Sequence, residues 1–228
     1  MELRFLGTGS AFNFDAHNTS AFFKTDKSLF LLDCGESICN LVLKYKLMDD
    51  VENIYVFITH THSDHIGSLE ALLYYNEVFL HKNFKIFYPK RRQLKTLLKL
   101  TGVDFPFKIY MPPRELDGIE IDYVTQNHIP GSYGYFFYSA HGSFFYSGDT
   151  SEVNERCVSE LKQGKIELIY HEVTDTGSKI HTHIDKLKEA FPEEVRGKVC
   201  LMHFGNDALK QKSLDAKFRI ASEIGGEN

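Results

Sequence analysis

The sequence predicts an α+β fold in which mixed β-sheets are covered by helices. Short apolar runs rich in β-branched and aromatic residues are bounded by turn residues, which is typical of strands. Amphipathic segments with apolar residues at helical spacing alternate with them. Hairpin-like pairs of strands occur beside strand–helix units, so we expect antiparallel and parallel pairing together. No linker, repeat or low-complexity segment interrupts the chain, which favours a single domain over residues 1–228.

The first half of the chain begins with strands and continues in strand–helix units. Apolar runs predict strands at residues 2–7, 19–24, 28–33, 53–59 and 84–88. Helical spacing predicts helices at residues 36–48, 64–75 and 91–100. In the last of these we expect the four leucines, Leu94, Leu97, Leu98 and Leu100, to face inward.

The second half repeats this scheme with a more strand-rich beginning. Strands are predicted at residues 118–128, 134–140, 143–149, 166–172 and 198–204. Helices are predicted at residues 184–191 and 207–224. The whole pattern therefore predicts one mixed sheet, or two, with helices outside.

Composition excludes several classes of protein. The net charge of −5 gives no indication of a general nucleic-acid-binding surface. No apolar run is long enough to span a bilayer, so we expect no membrane partner. The N-terminus lacks the pattern of a signal peptide. Four cysteines without CxxC spacing, Cys34, Cys39, Cys157 and Cys200, favour reduced thiols in a cytoplasmic protein.

A cluster of potential metal ligands lies between an apolar strand and a helix. In the stretch FITHTHSDH, the ligand types are His60, His62, Asp64 and His65. His60 and His62 are two residues apart, so in an extended segment both imidazoles face the same way. Asp64 and His65 open the next helix, where Ser63 or Asp64 would also serve as an ordinary N-cap.

Three more side chains that could bind metal lie where apolar strands are predicted to end. His128, Asp149 and His203 each follow such a strand, in this order along the chain. The combined set contains imidazoles and carboxylates but no thiolate. This chemistry suits two zinc or manganese ions better than a structural zinc site. The sequence therefore predicts a metal site assembled from strand ends.

These motifs resemble those of a known family. THTHSDH resembles the HxHxDH signature of metallo-β-lactamase-fold hydrolases. FLGTGSAF, NTS, LLDCGES, YSGDT, YHEVTD and MHF are similar to motifs of the RNase Z branch of phosphodiesterases. The resemblance covers nearly the whole chain. It implies an αββα four-layer sandwich, a metal-dependent phosphodiesterase activity and a homodimer.

The resemblance also implies roles for the ligands. One metal would be held by His60, His62 and His128, and the second by Asp64, His65 and His203, with Asp149 bridging the two ions. The expected cofactors are two Zn²⁺ per subunit, or Mn²⁺, which would activate the attacking water at neutral pH. Asp64 is expected to be catalytic in this sense.

A poor leaving group needs a proton, and the resemblance points to His181 as its donor. Glu172 would orient His181. His183 lies two residues further on, so the choice between the two histidines stays open. Both would alternatively be polar residues that lead into a helix. His171 is expected to be structural or to support the site from behind.

Departures from the RNase Z pattern indicate a small substrate. The loop Phe12–Asn18, FNFDAHN, has no lysine or arginine where RNase Z carries a basic loop. Only 20 residues separate His128 from Asp149, too few for the flexible arm that grips tRNA. The expected substrate and partner is therefore a small nucleotide, a 3′,5′-cyclic mononucleotide. Such armless chains resemble bacterial and phage anti-Pycsar proteins, which degrade cyclic-nucleotide immune signals.

Other interpretations stay open. They are an RNase Z-like nuclease that processes tRNA 3′ ends, a regulatory protein with a vestigial metal site, and a hydrolase of non-phosphate esters. A basic stretch, Lys82, Lys85, Lys90, Arg91, Arg92, Lys95 and Lys99, would serve RNA, but the solvated face of a helix is the favoured interpretation. Eight aromatic residues offer faces for stacking on a base, although most of them are expected to belong to the core and no single one is singled out: Tyr74, Tyr75, Phe79, Phe105, Phe107, Tyr110, Tyr133 and Tyr135.

Overall fold

Two β-sheets pack face to face in the computed structural model, which describes residues 1–225. The first sheet has the order β1 (Arg4–Gly7), β2 (Ser20–Lys24), β3 (Ser28–Leu32), β4 (Asn53–Phe57), β5 (Asn83–Phe87) and β6 (Ile109–Tyr110). The second has the order β13 (Arg219–Ile220), β12 (Val199–Met202), β11 (Leu168–Glu172), β10 (Gly142–Tyr146), β9 (Tyr133–Ser139), β8 (Ile119–Thr125) and β7 (Glu115–Leu116).

Each sheet combines antiparallel and parallel strands, as the sequence predicts. Strands β1, β2 and β3 are antiparallel neighbours, whereas β3 to β6 run parallel. In the second sheet β7 to β10 are antiparallel and β10 to β13 are parallel. The hairpin β9–β10 occupies most of the segment between His128 and Asp149, so that segment forms no extended arm.

Helices cover the outer faces of both sheets. Their bounds are α1 (Ile38–Lys44), α2 (Ser63–Ile66), α3 (Leu69–Tyr75), α4 (Arg91–Leu100), α5 (Glu155–Lys162), α6 (Ile184–Ala190) and α7 (Asp207–Asp215). A π-helix (Asn76–Leu80) extends α3, and a 3₁₀ helix (Glu193–Lys198) precedes β12. This arrangement confirms the predicted αββα sandwich. Within residues 1–225 we find no helix with the length and apolar content that a bilayer crossing requires.

Aromatic rings fill the space between the sheets. Phe57 of the first sheet lies 5.6 Å from Tyr135 and 5.3 Å from Phe137 of the second, in both cases edge to face. Phe23 contacts Phe137 in the same geometry at 5.7 Å. Such pairs add about 0.5–1.5 kcal/mol each beyond the area they bury. The aromatic side chains of these strands thus fix the position of one sheet relative to the other.

Alternation along the strands of the second sheet divides the core into two clusters. On β9, Tyr135 and Phe137 face the first sheet, whereas Phe136 faces the opposite way. Phe136 packs against Phe145 of β10 at 4.4 Å between ring centroids. This second cluster receives apolar residues of α5, α6 and α7. Strands buried on both faces explain why these segments are continuously apolar in sequence.

Of the predicted helices, one is divided in two and another ends earlier than expected. The helix predicted at 64–75 is divided into α2 and α3, because the hydroxyl of Ser68 donates to Gly35 O and accepts from Cys39 N, which redirects the chain. The helix predicted at 207–224 ends with α7. Lys217 adopts a left-handed conformation with φ of 68°, and β13 follows. Helix α5, by contrast, was not predicted from the sequence.

Helix α4 has the predicted bounds, but one of its leucines points outward. Leu94 and Leu98 are buried and Leu97 is partly buried, whereas Leu100 is 81% exposed, which corrects the expectation for that residue. Leu98→Ala should therefore lower the free energy of unfolding by about 2–5 kcal/mol. Leu100→Ala should change it by less than about 0.5 kcal/mol. Urea denaturation of both variants measures the difference, and equal losses would contradict the assigned orientation of α4.

Candidate metal centre and active site

The predicted ligands lie at one edge of the sandwich, where the carboxyl ends of parallel strands meet. His60 follows β4, His128 follows β8, Asp149 follows β10 and His203 follows β12. Strands β8, β10 and β12 share one direction, so their ends open on the same side. Side chains that are far apart in sequence are brought together at this edge.

The first group of potential ligands combines three histidines and one carboxylate. His60, His62, His128 and Asp149 each offer one ligand atom, and these atoms lie within 4.8 Å of one another. The Nδ1 atom of His62 is 3.1 Å from Nε2 of His60 and 3.1 Å from Nε2 of His128. Oδ2 of Asp149 is 3.8 Å from Nε2 of His60.

The second group shares Asp149 with the first. Its members are Asp64, His65, Asp149 and His203, again with ligand atoms within 4.8 Å of one another. Oδ2 of Asp64 is 3.3 Å from Nε2 of both His65 and His203. Asp64 accepts no bond as an N-cap, since helix α2 has no side-chain cap. The capping interpretation of this residue is therefore wrong.

The donor atoms fit the dimensions of a metal site. A tetrahedral zinc with bonds of 2.0–2.1 Å places its ligand atoms about 3.3 Å apart. The distances of 3.1–3.8 Å within the first group bracket this value. In addition, Nε2 of His65 is buried without a hydrogen-bond partner among residues 1–225, although two carboxylates face it. A lone pair buried among carboxylates needs a cation.

Asp33 supports this site and was not identified from the sequence. It is fully buried, and Oδ2 lies 2.9 Å from Nδ1 of His65, so a proton on Nδ1 leaves Nε2 free to bind metal. Thr59 donates to the same carboxylate from its amide and its hydroxyl, at 2.7 and 2.8 Å. Asp33 has a φ of 63° and His203 a φ of 64°, so both adopt a strained left-handed backbone.

Asp33→Asn should weaken metal binding about 10- to 100-fold, because the amide no longer fixes the proton of His65 on Nδ1. Metal content after dialysis against graded zinc concentrations measures the loss. Asp175→Asn removes a carboxylate near the same cavity that belongs to neither ligand group, and it serves as the control. Equal metal affinity of both variants would show that Asp33 does not position His65.

Burial and neighbouring charges shift the pKa values of side chains in the two groups in different directions. Burial lowers the pKa of His60, His62 and His128, which favours the neutral imidazole that binds metal. Burial alone would raise the pKa of Asp149, but His203 and His65 hold it well below its usual value. The pKa of His65 is well above normal despite burial, because Asp149, Asp33 and Asp64 surround it. Carboxylates that attract a proton this strongly also attract a divalent cation.

His181 lies between the two groups, and His183 does not. Nδ1 of His181 is 3.0 Å from Oε2 of Glu172, and its ring centroid is 5.0 Å from that of His128. Burial, and next Asp149, raise the pKa of Glu172 well above normal. Nδ1 of His183 accepts a hydrogen bond from the amide of Asp185 as the N-cap of α6.

His171 lies apart from the ligand groups. Its Nδ1 donates to the carbonyl of Glu172 at 2.7 Å, and the ring is fully buried. Burial lowers the pKa of His171 to about 4, so the side chain stays neutral at physiological pH. This geometry agrees with the expected structural role.

The ligand groups open onto a cavity of about 610 Å³. Its lining includes His181, Asp64 and Asp149 together with His62 and His203, and it also includes Phe12 and Phe14. Within the part of the chain that the structure describes, no lysine or arginine lines it. The two phenylalanines are 85% and 89% exposed. This volume lies within the range of about 300–1,000 Å³ that is usual for small-molecule sites.

Phe12 and Phe14 were missed because exposed aromatic residues in a loop show no periodicity. The aromatic residues proposed from the sequence lie elsewhere, since none of them lines this cavity: Tyr74, Tyr75, Phe79, Phe105, Phe107, Tyr110, Tyr133 and Tyr135. Tyr135, for example, is fully buried between the sheets. The loop Phe12–Asn18, which contains no lysine or arginine, thus supplies aromatic rings to the cavity.

The family model described as "Anti-Pycsar protein Apyc1" matches residues 1–224 of this chain. The chain belongs to the anti-Pycsar Apyc1 family. The matched residues include both sheets and every member of the two ligand groups. The resemblance to the RNase Z-like branch of metallo-β-lactamase-fold proteins is thereby confirmed.

Individual relatives agree with this assignment. The anti-Pycsar protein Apyc1 of Paenibacillus sp. strain J14 is 26% identical over 226 residues, covering 91% of this chain and 90% of that protein. Ribonuclease Z of Methanocaldococcus jannaschii is 34% identical over 151 residues, covering 60% of this chain and 47% of that protein. The metallo-β-lactamase-fold protein YhfI of Bacillus subtilis superposes with a TM-score of 0.75 at 17% identity, over 98% of this chain and 97% of that one.

The chain is a metal-dependent hydrolase, as the sequence predicts. Family membership and the RNase Z relationship support a phosphodiesterase activity. The clusters of histidine and aspartate supply a divalent-metal site of the kind that such an activity needs. A vestigial site would have lost some of these ligand atoms, and the structure places all of them together.

Proposed function

We propose that this protein is a dinuclear phosphodiesterase that hydrolyses 3′,5′-cyclic mononucleotides. One observation carries the proposal: two ligand groups share Asp149 and open onto a cavity that no lysine or arginine lines in the described chain. A polymeric substrate held inside this cavity would require cations along the cavity wall, whereas a compact diester needs only the metal centre and a base contact. The resemblance to cyclic-nucleotide phosphodiesterases supports the same substrate.

The charge of the cavity makes metal ions necessary for an anionic substrate. Five carboxylates line it, from Glu36, Asp64, Asp149, Glu172 and Asp175. Cations held by the two groups would polarise the phosphoryl oxygens and supply a water with a pKa near 7. We propose zinc or manganese in both positions, one held by His60, His62, His128 and Asp149, and the other by Asp64, His65, His203 and Asp149.

His181 has the geometry of a proton donor to the leaving oxygen. Its Nδ1 faces the carboxylate of Glu172, which leaves Nε2 as the atom that would protonate an alkoxide. Glu172 itself accepts a bond from the amide of Thr150, so its position is fixed from two sides. The ring of His181 is a quarter exposed and lines the cavity, within reach of a bound diester.

Phe12 and Phe14 would receive the base. Because stacking on one aromatic ring contributes about 1–3 kcal/mol, Phe12→Ala with Phe14→Ala should raise KM for a cyclic nucleotide about tenfold or more. Phe79→Ala removes an exposed aromatic outside the cavity and is the control. Steady-state kinetics of the variants test the contact, and an unchanged KM for the cyclic nucleotide in the double variant would contradict it.

The function is tested by incubating the purified protein with 3′,5′-cyclic mononucleotides, cyclic dinucleotides and a precursor tRNA. We expect linear mononucleotides from the first class, loss of turnover after chelation and recovery with Zn²⁺ or Mn²⁺. Cleavage of the precursor tRNA with a steep salt dependence and no cyclic-nucleotide turnover would favour the RNase Z-like alternative. The homodimer expected from the resemblance stays a prediction, which light scattering of the purified protein measures.

A further inference from the structure

Positive charge is concentrated in one segment of this acidic chain. Residues 82–114 contain nine lysines and arginines and a single acidic residue, Asp104, although the whole chain has a net charge of −5. The segment comprises β5, α4 and β6, at the edge of the first sheet. The edge of the sheet that this segment forms therefore carries a concentrated positive charge.

Two adjoining cavities lie along this edge. We call the two cavities together the basic groove. One has a volume of about 910 Å³ and the other of about 850 Å³, and they share Lys95, Lys108 and Tyr110. The other cations of the groove are Lys82, Lys90, Arg91, Arg92 and Lys99. Two carboxylates, Glu77 and Asp104, line the first cavity, and none lines the second.

The cations of the groove are not neutralised within the protein. Some basic side chains elsewhere form ion pairs, as Arg156 does with Asp122 and Glu160. Among residues 1–225, no lysine or arginine of α4 or β6 and its flanks forms such a pair. Lys95, Lys108 and Arg92 are all exposed. A polyanion would therefore replace bound counterions rather than displace protein carboxylates.

Aromatic rings lie between these cations. Phe84, Phe105, Phe107 and Tyr110 line the first cavity and are each partly exposed. The ammonium group of Lys95 lies 5.8 Å from the ring centroid of Phe107. Cations interleaved with accessible rings are typical of surfaces that bind single-stranded nucleic acid, where bases stack and phosphates pair. An acidic lipid headgroup would use the cations but not the rings.

The basic groove begins next to the candidate active site and shares no lining residue with its cavity. Gln93 of α4 donates from Nε2 to the hydroxyl of Thr61, between two ligand histidines, at 3.3 Å. Tyr88 donates to the carbonyl of Gly131 at 2.7 Å, three residues after His128. The groove is thus adjacent to the loops of the metal centre but separate from them.

We infer that the basic groove is a docking surface for single-stranded nucleic acid. Helix α4 is about 15 Å long, and the groove continues along β6, so an extended strand of several nucleotides would fit. The alternative is the solvated helix face that the sequence favours. The docking surface goes beyond the proposed hydrolysis of cyclic nucleotides and does not rest on it.

Fluorescence anisotropy with a labelled oligothymidylate of about a dozen nucleotides tests the inference. Lys95→Glu combined with Lys108→Glu should weaken binding about tenfold or more at low salt. The slope of log affinity against log salt should also become shallower, by about 0.7 for each lost phosphate contact. Lys162→Glu with Lys165→Glu, at the end of α5 and in the turn after it, is the matched control and should bind as the unsubstituted protein does. Cyclic-nucleotide turnover should be unchanged in both double variants.

Several results would overturn the docking surface. They are no binding of the oligonucleotide at low salt, equal losses in the two double variants, or equally tight binding of a trinucleotide, which would indicate a mononucleotide pocket. Preferential binding to phosphatidylserine vesicles would assign the groove to a lipid surface instead. Because hydrolysis of cyclic nucleotides is measured on the same samples, failure of the groove and failure of the proposed function are distinguishable.

Discussion

Asp149→Asn is expected to reduce hydrolysis of a cyclic mononucleotide by about 10³-fold or more. Asp149 belongs to both ligand groups, and its oxygens lie 3.4–3.8 Å from the ring nitrogens of His65, His60 and His203. An amide cannot supply the charge that holds two cations, and a metal centre stabilises the transition state by several kcal/mol. At about 1.4 kcal/mol for each factor of ten, the loss of that stabilisation corresponds to this reduction.

Turnover by chromatography and metal content by mass spectrometry measure this effect on the same sample. Circular dichroism separates it from a failure to fold. Asp175→Asn, a cavity carboxylate outside both ligand groups, is the control and should keep nearly full activity. A folded Asp149→Asn protein that retains two metal ions and normal turnover would refute the assignment of Asp149 as the ligand that both groups share.

His181→Ala should lower the rate for a cyclic nucleotide about 10²- to 10⁴-fold, the usual contribution of a general acid. The alkoxide that leaves a ribose 3′ position is a poor leaving group and needs the proton. The rate for bis(p-nitrophenyl) phosphate should fall far less, because nitrophenolate leaves without protonation. Comparison of the two substrates therefore distinguishes proton donation from a loss of binding or folding.

His183→Asn provides the matched control for the same segment. Asparagine is a good N-cap, so α6 should keep the bond that Nδ1 of His183 now accepts from Asp185. This variant should retain its rate with both substrates. A larger loss in His183→Asn than in His181→Ala would transfer the role to His183. Equal losses of His181→Ala with both substrates would refute proton donation by His181.

The candidate ligands at strand ends could be predicted because each of them follows an apolar strand, and strand ends converge at one edge of a sheet. His128 and His203 are 75 positions apart, yet each is recognisable from the apolar run before it. Asp33 also follows such a run, but one carboxylate there is indistinguishable from a turn residue. Its role depends on a contact with His65 that only the folded chain creates.

Helix boundaries distinguish residues that are equivalent in the sequence pattern. His181 and His183 are equivalent in a pattern of polar residues, and only the start of α6 at Ile184 makes His183 the cap. The apolar spacing of residues 207–224 continues past the end of α7. There, the left-handed backbone of Lys217 and the pairing of β13 with β12 prevail over helical periodicity. Such tertiary effects leave no local signal.

The shared edge of the two sheets has a thermodynamic consequence. His60, His62, Asp64 and His65 come from the first half of the chain, and His128, Asp149 and His203 come from the second, so any bound ion fastens one half to the other. Binding that requires the folded arrangement adds to its stability by about 1.4 kcal/mol for every tenfold excess of free ion over the dissociation constant. The melting temperature of the purified protein should therefore act as a gauge of free divalent ion, and a chelating buffer should behave as a mild denaturant.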